Sequence, residues 1–248
     1  MIFSLRNHPF AVRAHFDKSL VLTYAAPAAS LRPLLPDCLE LDTFQGRWGF
    51  AAIAFVSTRQ LRPSFLPAWM GLNALLAGYR IFVKYRTAAG RRLRGLYILK
   101  TETNRRPMAW LGNLFTQYHH QVSDITESCQ ESLWGVESRS TGYHITTARA
   151  AAEAHVPLPS GSPFASWAEA RRFAGPMPFT FSHHPASGQV VIVEGKRSHW
   201  KPMPAAVDHY PDFPIDSIQA PGLIPASAFS MEHVDYEWRK GRIESWPR

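Results

Sequence analysis

Hydrophobic and polar residues alternate in short blocks along much of this chain. Frequent prolines and glycines cut the apolar stretches into lengths that suit strands better than long helices. Phe16 to Tyr24 predicts a first strand, and Pro27 to Pro36 a short helix that proline ends. Leu39 to Phe44 and Trp48 to Val56 flank the tight turn Gln45-Gly46-Arg47 and predict a hairpin. A second hairpin joins Tyr79–Arg86 to Leu93–Thr103 around Gly90. In its first strand Tyr79, Ile81, Val83 and Tyr85 share one face, and Arg80, Phe82, Lys84 and Arg86 the other. The same alternation groups Leu96, Ile98, Lys100 and Glu102 on the return strand.

Further strands are predicted over Tyr118–Ile125, Trp134–Ser140, Tyr143–Ala148, Phe179–His183, Val190–His199 and Met231–Trp238, with a short helix over Met108–Phe115. Ser166 followed by Glu169 is a capping-box pattern and predicts a packed helix to Phe173. The proline-rich stretch from Pro202 to Pro225 could hold a helical turn over Pro204–Asp208. These elements make a mainly β chain with a few short helices. No low-complexity linker divides it, so one domain over residues 1–248 is expected.

Composition supports a globular chain: 46% of residues are hydrophobic and 19% charged, enough apolar material for a sizeable core. The net charge of +8 comes from scattered groups such as Arg91-Arg92-Arg94 and Arg105-Arg106, which reads as a solvated basic surface able to attract anionic molecules. No helix-turn-helix, zinc-finger or aromatic RNA-binding signature accompanies that charge, so no nucleic-acid partner is expected. Cys38 and Cys129 are too few for a disulfide scaffold and form no CxxC pair. The N-terminus lacks the continuous apolar stretch of a signal peptide, and no segment has the roughly 20 apolar residues that cross a bilayer. A cytoplasmic protein without an integral membrane segment is expected. The apolar segment Leu61–Leu76 suits a lid, a dimer contact in a homo-oligomer, or a membrane-touching edge.

The segment Leu31-Arg-Pro-Leu-Leu-Pro36, followed by Leu39-Glu-Leu-Asp-Thr-Phe-Gln-Gly-Arg-Trp48, resembles a family of uncharacterised bacterial proteins in the acetoacetate decarboxylase-like superfamily. Ser166–Phe173, Val191–Trp200 with His199-Trp200, and Ser227–Trp238 resemble later segments of that family in the same order. The resemblance implies a closed antiparallel β-barrel with an internal cavity. In acetoacetate decarboxylase itself a lysine of a Gly-Phe-Pro-Lys-Lys motif forms a Schiff base with the keto acid, activated by a neighbouring cation. The stretch that resembles it here, Gly112 to His120, contains no lysine, and no carboxylate stands near Tyr79–Arg80 where the family's glutamate falls. Both departures argue against decarboxylation by that route.

Tyr118 and His120 occupy the position of those lysines and become the candidate proton donors. A regular strand puts them on one face and His119 on the other. Arg80 and Lys84 are spaced to bind a carboxylate or phosphate. Lys100 could form an imine if desolvated, with Glu102 beside it, available to substrate or as its ion-pair partner. His183-His184, His199 and His209 match no zinc pattern, and phosphate loops and Rossmann fingerprints are absent, so neither metal nor cofactor is expected. The leading functional expectation is a barrel that binds or converts a small organic acid or carbonyl compound. A non-catalytic binding or interaction protein is the alternative, and peripheral binding to anionic membranes a lesser one.

Overall fold

The computed structural model describes residues 5–131, 133–149, 156–175, 177–198, 201–213 and 223–246. The first strands are β1 (Val12–Pro27), β2 (Glu40–Leu41), β3 (Trp48–Pro63), β4 (Leu72–Arg86), β5 (Arg92–Thr103) and β6 (His120–Val122). They are followed by β7 (Thr126–Gln130), β8 (Leu133–Ser138), β9 (Tyr143–Arg149), β10 (Phe179–His184) and β11 (Gln189–Arg197). The last are β12 (Met203–Val207), β13 (Ile224–Trp238) and β14 (Arg242–Ser245). Three short helices, α1 (Ala28–Leu31), α2 (Arg106–Phe115) and α3 (Trp167–Ala174), complete the set. The expectation of a mainly β chain holds. Residues 199 and 200 lie outside the described residues, as does 214–222 within the proline-rich stretch.

Neighbouring strands follow the order β11, β10, β5, β4, β3, β1, β13, and β11 also pairs with β13, so these seven form a ring of pairings. The ring is not wholly antiparallel as expected, because β10 runs parallel to β5 with Phe179 opposite Gly95. Gly95 permits that approach: a Cβ there would lie 2.4 Å from the Phe179 carbonyl oxygen. From β13 the sheet continues through β12, β9, β8 and β7. Trp134 and Val136 of β8 and Tyr143 and Ile145 of β9 pack on Ile53, Phe55 and Tyr79 of β3 and β4. Those two strands are therefore covered on both faces. That explains why β3 is buried continuously from Gly49 to Thr58 and reads as an apolar run instead of an alternation.

Local elements follow the chain's chemistry. Ser166 Oγ accepts a hydrogen bond from the Glu169 backbone N–H at 3.2 Å, while Glu169 accepts one from the Ala165 N–H at 2.7 Å, closing the predicted helix cap. The Gln45-Gly46 turn forms with both residues at positive φ, but the hairpin predicted around it does not. Glu40 and Leu41 pair with Lys84 and Val83 of β4, and only Phe44 bridges to Trp48. Asp42 turns toward Lys84 of β4 and Arg94 of β5, while the Phe44 ring packs on Phe50 of β3 as well as on Phe164 and Phe173, so the segment leaves β3 before Phe44. The strand expected over Tyr118–Ile125 shrinks to β6, parallel to β5. Pro204–Asp208 is not a helical turn, since Met203–Val207 is a strand paired with β13 and β9.

Candidate functional site

All seven strands of the ring, together with α2, contribute side chains to one pocket of about 260 Å³. From β3 come Ala52, Ala54 and Val56, from β4 Leu76, Gly78, Arg80 and Phe82, and from α2 Met108, Leu111, Gly112 and Phe115. The α2 set follows the i, i+3, i+4, i+7 rule of a single helix face. The lining is mostly apolar. Among the described residues it includes the cations Arg62, Arg80 and Arg197, no lysine, and no carboxylate.

Strict alternation does not survive around this pocket, because backbone irregularities change which face successive residues occupy. On β5, Tyr79 is opposite Lys100 but Arg80 is opposite Ile98, so Leu99 is an extra residue. Leu96 and Ile98 face the pocket before it and Thr101 after it. On β1, register with β3 shifts around Asp17, and pocket residues change from Val12 and Phe16 to Ser19 and Val21. On β13 the change falls at His233, whose φ is 54°, between Met231 and Tyr236.

The β5 bulge separates Lys100 and Glu102 from Leu96 and Ile98, with which the alternation grouped them. Arg80 lines the pocket, whereas Lys100 and Glu102 lie on the opposite face. There Lys100 Nζ is 2.8 Å from Glu102 Oε1 and 4.5 Å from the Tyr79 ring centroid. Glu102, buried, also accepts hydrogen bonds from Tyr79 and Thr141. Lys100 is thus paired with Glu102, the alternative that the sequence left open, and does not line the pocket that holds Arg80. Lys84 does not line the pocket either. Its Nζ pairs with Asp42 at 2.7 Å, and Arg94 Nε donates to the same buried carboxylate at 2.6 Å, so Lys84 is neutralised within the fold.

Arg80 is different. Its guanidinium lies across Gly78, where an added Cβ would sit 3.0 Å from the nearer Nη. Its Nε is buried without a hydrogen-bond partner. Burial lowers its pKa from the usual 12.5 to about 10, with Arg197 acting in the same direction and Tyr236 and Tyr118 opposing it. An arginine does not lose its proton in a protein, so this lowering measures the cost of keeping the cation there. Arg197 donates to the Met177 carbonyl and lies over the Tyr236 ring at 5.6 Å.

Tyr118 and His120 both line the pocket and His119 points outward, as the spacing predicts. Tyr118 achieves this from the loop before β6. Burial, and after it Tyr236, raise the pKa of Tyr118, so it stays a protonated donor at neutral pH. Its hydroxyl, near Thr180, has no hydrogen-bond partner of normal geometry. His120 is held through its backbone: its N–H donates to Asn113 Oδ1 and its carbonyl accepts from Asn113 Nδ2, each at 2.8 Å. Its ring packs on Gly112, where a Cβ would lie 2.2 Å from His120 Cδ2. Burial, followed by the neighbouring His119, lowers the His120 pKa from 6.5 to about 4, and its Nδ1 has no partner. A neutral imidazole, a phenol and a guanidinium therefore converge on one apolar space. Sequence reasoning missed His8, Thr180, Arg197 and Tyr236, which reach it from separate elements. Only the Arg197–Tyr236 pairing across β11 and β13 brings the last two together.

The described residues also hold one group with metal-ligating atoms close together, His15, Asp17 and His233, within 4.8 Å of one another. Asp17 is engaged there by Arg59, and His15 Nδ1 contacts Asp235 at 2.8 Å. This group does not line the pocket.

A family model described as an uncharacterized conserved protein, DUF2071, matches residues 13–234. The chain belongs to the DUF2071 family. No curated protein matches it in sequence. Its fold is similar to that of acetoacetate decarboxylase from Legionella pneumophila, at 11% identity and a TM-score of 0.61, over 96% of this chain and 88% of that one. An acetoacetate decarboxylase-like enzyme from Sphingomonas wittichii RW1 matches at 12% identity and a TM-score of 0.56, covering 97% and 94%. The enduracididine biosynthesis enzyme MppR, in complex with pyruvate, matches at 10% identity and a TM-score of 0.55, covering 95% and 90%. At such identities the likeness establishes an acetoacetate decarboxylase-like fold for this DUF2071 member. No described helix is long and apolar enough to cross a membrane.

Proposed function

We propose that this chain is a single-domain closed barrel over residues 1–248 whose internal cavity binds a small organic acid or carbonyl compound. The observation that carries this reading is Arg80, a cation in an apolar pocket with no carboxylate among its described lining residues. A buried charge without a partner is costly, and an anionic ligand supplies the partner. Arg80 holds the carboxylate, Tyr118 donates a hydrogen bond to a carbonyl or carboxylate oxygen, and neutral His120 is available to accept a proton. No imine is involved, since no lysine is among the described lining residues. The pyruvate complex of the MppR enzyme is compatible with a keto acid in such a fold. Two free cysteines suit a cytoplasmic setting.

Calorimetric titration of the whole protein with acetate, pyruvate and 2-oxobutyrate tests the reading. Saturable binding is expected, weakened at least tenfold in Arg80→Gln. Borohydride added with 2-oxobutyrate should leave the protein mass unchanged. A borohydride-stable adduct on a lysine would overturn the imine-free mechanism. Absence of acid binding, or equal binding by Arg80→Gln, would overturn the site itself. Turnover followed by NMR separates conversion from binding alone.

A further inference from the structure

The pocket that holds Arg80 is larger and more apolar than a short keto acid requires. From Arg80, β4 continues through Gly78 and Leu76 to Leu72 along the pocket wall. Val56 and Leu61 of β3 stand beside them, and Leu111 and Phe115 of α2 border the same space. Arg62 is the cation at that end, and its guanidinium is taken up by the carbonyls of Gln60 and Leu66 at 2.8 and 3.1 Å. Beyond it, Phe65 is 69% exposed in the β3–β4 connection and meets Phe10, itself a lining residue, edge to face at 5.6 Å. Tyr118, Tyr236 and Arg197 surround Arg80 electrostatically. A mainly hydrocarbon wall extends from there toward an aromatic rim, where His8, bonded through its backbone to Phe115, and Arg62 are polar lining residues.

Size points the same way. An apolar cavity of roughly 150 Å³ holds a benzene molecule. Scaling from that, the 260 Å³ here has room for about ten non-hydrogen atoms, well beyond the size of acetate or pyruvate. Apolar walls leading away from a polar corner also give such a ligand its orientation, because each methylene gains by leaving water while the carboxylate gains at the Arg80 end.

We propose that the ligand is an amphiphilic carboxylate of about octanoate size, its head on Arg80 and its hydrocarbon body along the β3, β4 and α2 wall. This rests on the acid-binding reading of the same pocket and adds the ligand's class to it. Straight-chain acids from acetate through butyrate, hexanoate, octanoate and decanoate to tetradecanoate are titrated into the whole protein by calorimetry, with octanol and octylammonium as controls. Affinity should rise about fourfold per methylene, the ratio equivalent to ~0.8 kcal/mol, through octanoate, and fall again by tetradecanoate. Octanol and octylammonium should bind at least tenfold more weakly than octanoate. Leu76→Phe, which fills the pocket from a partly exposed lining position, should move the optimum to a shorter acid. If that variant does not fold, the wild-type series decides. A flat series from acetate to decanoate overturns the inference while leaving acid binding in place. Octanol binding as tightly as octanoate overturns the head-group assignment, and no binding by any acid overturns both readings.

Discussion

If Arg80 is retained for a ligand and not for the fold, removing its charge should stabilise the empty protein. The substitution Arg80→Met keeps an unbranched stem, shorter than arginine's, and deletes the cation. Burial lowers the Arg80 pKa from 12.5 to about 10, and each tenfold is worth about 1.4 kcal/mol, so keeping the charge there costs on the order of 3 kcal/mol. Water in the pocket, together with the weaker packing of a side chain that ends short of the guanidinium, offsets part of this and leaves a net gain of about 1–2 kcal/mol. For a chain of this size that corresponds to a rise of about 2–8 °C in the unfolding midpoint. The measurement is thermal and urea unfolding of wild type and variant without ligand, beside titration with acid. The expected pair of results is a more stable protein that no longer binds acids. A lower unfolding midpoint for Arg80→Met would refute the reasoning, because it would show that the guanidinium is satisfied by the fold. Acid binding undiminished in the variant would refute it as directly.

Two further outcomes follow from named groups. His8 and His120 are both buried, and burial lowers each pKa from 6.5 to about 4. The unfolded chain therefore takes up protons first, and stability should fall as pH drops from about 6.5 toward 4, by up to ~3 kcal/mol per histidine; urea unfolding at stepped pH measures it, and a His8→Asn/His120→Asn double variant should show a flatter profile. Asp42→Asn leaves Lys84 and Arg94 without their shared carboxylate and should cost about 1–3 kcal/mol by urea unfolding, with acid affinity unchanged, since neither cation lines the pocket.

Much of the fold was legible because it is written locally. The α3 cap needs only Ser166 and Glu169, and the β4–β5 hairpin needs alternation around Gly90. The predicted hairpin at Gln45-Gly46 failed for a non-local reason: the turn formed, but Glu40 and Leu41 paired with β4 and Asp42 found its partners Lys84 and Arg94 on β4 and β5. The parallel contact of β10 with β5 was equally hidden, since it depends on a glycine opposite Phe179 that is far away in sequence.

The site divides along the same line. Arg80, Tyr118 and His120 do line the pocket, Arg80 from a strand with a two-residue period and Tyr118 and His120 on either side of His119, whose φ is 48°. Lys100 was misplaced because Leu99 adds one residue to β5, and a single insertion carries every later side chain to the other face. The consequence reaches beyond one residue. Had the alternation run on unbroken, Lys100 and Glu102 would share the pocket face with Arg80, and Glu102 would stand as a carboxylate near the guanidinium. With the bulge, Glu102 satisfies Lys100, Tyr79 and Thr141 on the far face, and the pocket keeps a cation with no anion among its described lining residues. The same extra residue that defeats the sequence pattern therefore sets Glu102 and Arg80 on opposite faces of the sheet, and the proposed acid binding rests on that separation.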